Sequence, residues 1–63
     1  MKILKIVYLY NKKAEIILMD DGTVTIMYDN NILLEDLRWS TIEDDIDLLE
    51  TLLRAEVEEK MDK

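Results

Sequence analysis

The sequence predicts an α+β fold: a three- or four-stranded antiparallel meander followed by one long C-terminal amphipathic helix, order βββα with an optional fourth strand. Three observations carry it. Residues 1–31 contain three short runs rich in Ile, Val, Tyr and Thr, separated by turn residues. Ser40-Thr41-Ile42-Glu43 has the spacing of a capping box, and no Gly or Pro follows it before the end. The charge also changes character near residue 31. Residues 1–31 hold four bases and four acids, whereas residues 32–63 hold four bases and eleven acids and so contain the whole net charge of −7.

The elements follow in order. Lys2 to Tyr10, Lys13 to Met19 and Thr23 to Tyr28 read as strands. Asp21-Gly22 is the stronger hairpin signal, because a two-residue type I′ turn needs positive φ at both positions and Asp-Gly accepts that at little cost. Asn11-Lys12 is a weaker form of the same signal. Asp29-Asn30-Asn31 ends the third strand, and residues 32–39 form a connector or a short edge strand. A helix is expected over 40–61, with Ser40 as its N-cap and Glu43, Asp44 and Asp45 in the first turn, where the macrodipole favours acids. Glu50/Arg54, Glu56/Lys60 and Glu59/Lys63 are spaced for i,i+4 ion pairs. The whole chain, 1–63, reads as one domain.

Two-residue loops at both hairpins would place Leu4, Ile6, Tyr8, Tyr10, Ile17, Met19, Val24, Ile26 and Tyr28 on one sheet face. The other would carry Ile3, Val7, Leu9, Ala14, Ile16, Leu18 and Met27 with Lys5, Thr23 and Thr25. Both faces are then apolar, unlike a meander solvated on one side. The helix has a similar surplus: Ile42, Ile46, Leu49, Leu53 and Val57 form a stripe that Leu48, Leu52 and Ala55 widen to roughly 200°, about twice what a core-facing helix needs. A homodimer, or another partner on the spare surface, is therefore expected. The register puts Tyr8, Tyr10 and Tyr28 on one face, either as ordinary strand residues at the rim of the core or as interface anchors. Trp39 is either a packing residue that locks the helix to the sheet or an exposed anchor beside Arg38. Arg38 itself is expected to pair with Glu35 or Asp36.

Composition excludes several functions. With 49% apolar and 37% charged residues the chain is a folded domain rather than an acidic disordered tail. No apolar stretch approaches the roughly 20 residues of a membrane span, and Lys5 interrupts the apolar start Ile3-Leu4 with no small-residue cleavage site after it, so the expected location is the cytoplasm. The chain has no cysteine and no histidine, which removes disulfides, the usual zinc ligands and the commonest general base. At 63 residues a domain usually needs a staple of some kind, and the routes left are a very efficient core or self-association. The only serine is explained as a cap. Neither Asp20-Asp21-Gly22 nor Asp29-Asn30-Asn31 continues into a calcium loop, and one glycine cannot cradle a phosphate. The net charge has the wrong sign for direct binding to nucleic acid. No enzyme activity, metal or cofactor is expected.

The remaining feature is an acidic band, Glu43, Asp44, Asp47, Glu50 and Glu58, on the polar side of the helix. It reads either as a solubilising surface or as a docking surface for a protein with a basic groove. In general character, small, acidic and cysteine-free, the chain resembles the accessory and inhibitor proteins of bacteriophages, among them anti-CRISPR proteins and other DNA mimics. The resemblance is one of size and charge over the whole chain, with no motif behind it. It implies a non-enzymatic inhibitor that blocks a basic groove of a host nucleic-acid enzyme. The alternative is a homodimeric structural or regulatory module without mimicry.

Overall fold

Four strands follow one another along the chain and pair in that same order. They are β1 (Lys2–Leu9), β2 (Lys12–Leu18), β3 (Thr23–Tyr28) and β4 (Asn31–Arg38), in one antiparallel sheet with β1 and β4 at its edges. A four-residue helical turn, α1 (Trp39–Ile42), and a longer helix, α2 (Ile46–Met61), follow. The computed structural model describes residues 1–42 and 45–61. The optional fourth strand is thus a full strand of eight residues, so the order is ββββ followed by helix.

The turns explain the register. Tyr10-Asn11 (φ 54° and 64°) and Asp29-Asn30 (φ 52° and 64°) are both two-residue loops with positive φ at each position, the backbone of a type I′ hairpin. The first turn therefore lies one residue earlier than the expected Asn11-Lys12. The second hairpin is different in kind. Its loop has three residues, Asp20-Asp21-Gly22, flanked by Met19, whose N–H donates to the Thr23 carbonyl at 2.8 Å. Gly22 donates back to the Met19 carbonyl at 3.1 Å and takes φ 85°, and Asp21 Oδ1 accepts from the N–H and hydroxyl of Thr23 at 3.0 and 2.7 Å.

That one extra loop residue turns β3 over. An odd loop changes the parity of the pairing, so Ile16 faces Ile26 and Leu18 faces Val24, where a two-residue loop would have put Ile17 opposite Ile26. Val24, Ile26 and Tyr28 consequently share a face with Ala14 and Ile16, not with Tyr8 and Ile17. The expectation that the three tyrosines lie together is corrected: Tyr28 is on the opposite side from Tyr8. A bulge between Ile3 and Lys5 makes a second exchange. It moves Ile3 to the face of Ile17 and lets Leu4 pack against the core.

The core lies between that face and α2. Ala14, Ile16, Val24 and Ile26 meet Leu49, Leu53 and Val57, all fully buried. The three helix residues recur every four positions, which sets them on one stripe. Trp39 is half-buried against this cluster, and its N–H donates to the Gly22 carbonyl at 3.1 Å.

The helix differs from the expected single span over 40–61. Ser40 lies inside α1, while α2 starts at Ile46 with Asp45 as its cap: Asp45 Oδ1 accepts the N–H of Leu48 at 3.0 Å. Glu43, the other half of the expected capping box, lies outside the described residues. Of the residues expected to widen the apolar stripe, Leu52 is half-buried, whereas Leu48 and Ala55 are exposed.

Candidate interaction surfaces

Two surfaces follow from this fold, one on each outer layer. On the helix side, the acidic band is only partly assembled. Asp47 and Glu58 are exposed; Glu43 and Asp44 lie outside the described residues. Glu50 is on the inner flank of α2 and is not free: Lys5, reaching up from β1, and Arg54, one helical turn on, both bond to its carboxylate, the latter at 3.0 Å. These two cations, Lys5 foremost, hold the Glu50 carboxyl below the usual glutamate value. Lys5 is a cation in the core-facing row of an edge strand, and the pairing satisfies it. Of the expected i,i+4 pairs, Glu50–Arg54 forms and Glu56–Lys60 does not; Lys63 lies outside the described residues. Arg38 makes no ion pair among the described residues.

Asp47 and Glu58 are eleven positions apart, about 16 Å along the axis. Arg54 falls between them. Duplex DNA presents about ten charges over that distance, a higher density than that of the exposed acids among the described residues. Beside Glu58 and Arg54, Tyr8, Leu9 and Tyr10 complete an open cleft of about 210 Å³. A second, of about 380 Å³, is lined by Tyr28, Asp29, Asn31, Ile32, Leu33 and Lys60. Among the described residues no group of acids is arranged to hold a metal ion, and no helix is long and apolar enough to cross a membrane.

The other surface is the sheet face that α2 leaves uncovered. Pairing places Ile3, Ile6 and Tyr8 of β1, Ile17 of β2, Thr25 and Met27 of β3 and Ile32 of β4 together there. Ile17 and Thr25 are screened by their neighbours, but Ile3, Ile6, Tyr8 and Ile32 keep 50%, 43%, 71% and 57% of their surface in water. The charged residues paired on this face are Lys13, Glu15 and Arg38, and the first two approach each other to 3.9 Å.

The residues singled out from the sequence are thus divided among three places. Tyr8 belongs to the open face and the neighbouring cleft, and Tyr10 to the β1–β2 turn. Tyr28 and Trp39 pack on the helix side, Tyr28 donating its hydroxyl to the Leu9 carbonyl at 3.0 Å. The isoleucines of the open face were not individually singled out; their signal was apolar residues on both sides of every strand. No protein-family model, curated protein or solved structure matches the chain.

Proposed function

We propose that this chain is a non-enzymatic protein-interaction module that works through its open sheet face, without mimicry of nucleic acid. The observation that carries the reading is the exposure of Ile3, Ile6 and Tyr8 on β1 and of Ile32 on β4, on one face whose paired charges are Lys13, Glu15 and Arg38. Apolar surface gains about 25 cal/mol per Å² on leaving water, and exposed apolar surface of this kind marks contact sites.

A second reading, the inhibitor that docks α2 on a basic groove, is favoured by the exposure of Asp47 and Glu58. Its charge density is low for that role, and Glu50 is already committed to Lys5 and Arg54.

Pull-down from lysate of the source cell with three baits separates the two readings. The baits are the native chain, Ile6→Lys, and Asp47→Lys combined with Glu58→Lys. Ile6 pairs with Glu15, so a lysine there gains a cross-strand partner and the fold is expected to persist. The open-face reading expects Ile6→Lys to lose what the native bait captures while the helix variant retains it. Capture lost only in the helix variant, and weakening from about 50 to about 500 mM salt, would establish the inhibitor reading instead.

A further inference from the structure

We infer that the occupant of the open face is a second copy of this chain, stacked sheet on sheet so that the two α2 helices lie on opposite outer surfaces of a four-layer α/β/β/α dimer. The inference rests on the reading of that face as a contact site and adds its partner and geometry.

Charge selects the partner. The chain carries −7, yet the charged residues paired on the open face are two bases and one acid. A strongly basic partner would find its complement on α2, not here. Two copies meeting through this face bring together layers of small net charge, with Glu15 among the bases Lys13 and Arg38, and hold the acids of α2 outside. Approach through the helices would instead oppose Asp47, Glu58 and Glu59 of one copy to those of the other. Stacked sheets sit about 10 Å apart, and each helix adds a further layer of about 10 Å. The two helices are then about 30 Å apart, several times the Debye length of about 8 Å at physiological salt.

Area sets the strength. Four strands about 4.8 Å apart, seven residues long at about 3.4 Å each, project roughly 450 Å². A stacked pair covers about 900 Å² in projection, close to the ~1,000 Å² at which specific interfaces begin. The dimer should therefore be concentration-dependent rather than permanent. The face has the form such a contact requires: Ile17 and Thr25 are already screened at its middle, and the exposed isoleucines stand on β1 and β4 to either side.

The test is light scattering after size exclusion over a concentration series on the native chain and on Ile6→Lys combined with Ile32→Lys. Pulsed dipolar distance measurement on Asp47→Cys carrying a spin label accompanies it. The chain has no cysteine of its own, so that label is unique. The native chain is expected to rise toward twice its 7.5 kDa mass with a micromolar midpoint. The double variant should stay monomeric with an unchanged far-ultraviolet spectrum, and the labels should lie beyond about 30 Å. A native chain that is monomeric up to millimolar concentration overturns the inference. So does a dimer that survives both lysines, or labels closer than about 20 Å. The broader reading fails separately: a monomer whose Ile6→Lys variant still loses a captured protein leaves the face as a contact site with a different occupant, whereas a monomer whose variant captures all that the native chain does removes both.

Discussion

Glu50 shows how one side chain can be withdrawn from a surface by the fold around it. Its carboxylate joins β1 to α2 through Lys5 and turns back along the helix through Arg54. Because both cations hold its carboxyl below the ordinary value, the unfolded chain takes up the proton more readily than the folded one. Its stabilising contribution is complete above the usual glutamate value and is lost as pH falls through the lower, folded one. Urea titrations at about pH 7 and about pH 3 should show Glu50→Gln less stable than the native chain at the higher pH, with the gap narrowing at the lower. Gly22 is a second single-residue device. A Cβ there meets nothing within 4 Å, but φ is 85°, so Gly22→Ala should cost about 1–2 kcal/mol of backbone strain with no steric term. Thermal unfolding of Gly22→Ala beside Gly22→Asn checks this, since asparagine tolerates the left-handed region and should cost less.

Among the elements, α2 depends on a short stripe and one cap. Leu53 is fully buried between the sheet and its own helical neighbours, and leucine-to-alanine changes at such sites cost about 2–5 kcal/mol. A domain of this size has about 3–9 kcal/mol in total, so Leu53→Ala should leave a large unfolded fraction by circular dichroism at room temperature. The cap predicts a contrast. Asp45→Ala removes the acceptor of the Leu48 N–H and should cost about 1 kcal/mol, whereas Ser40→Ala, on an exposed residue inside α1, should change stability by less than about 0.5 kcal/mol. Equal losses in denaturant unfolding would mean that Ser40 does cap the helix. The edges differ as well. β4 is interrupted by two register shifts and by Asp36 at φ 62°, which blunts its edge against further pairing.

At the scale of the whole molecule, the exposed isoleucines Ile3, Ile6 and Ile32 stand on the sheet's outer face, and α2 carries Asp47, Glu56, Glu58 and Glu59 on the opposite layer. A dimer through that face should respond to salt in the sense opposite to an acidic inhibitor. Raising salt from about 50 to about 500 mM screens repulsion between the two −7 chains, so the dimer constant from analytical ultracentrifugation should hold or tighten. The same geometry separates two ideas that the sequence allowed to support each other. Two acidic helices on opposite outer surfaces cannot form one doubled field, so dimerisation through the sheet argues against mimicry.

Much of this was legible in the residues. The β-rich runs, the charge segregation, the apolar residues on both sides of each strand and the Glu50–Arg54 spacing are local patterns, and three of the strands, the C-terminal helix and the surplus of apolar surface follow from them. What sequence could not settle was parity. Asp-Gly suits a two-residue type I′ loop and also a three-residue loop with Gly in the left-handed position, and these differ by a single residue. Only the completed pairing, with Ile16 facing Ile26 above Leu49, Leu53 and Val57, decides between them. The choice sent Tyr28 inward and Thr25 outward. The bulge at Leu4 and the reach of Lys5 to Glu50 belong to the same class, contacts across tens of residues that no local preference specifies. The sequence by itself determined three of the strands, the C-terminal helix and a surplus of apolar surface. Tertiary structure decided which side chains stand on the uncovered face, because a strand's side chains alternate with a period of two and a one-residue shift in a turn exchanges its two sides.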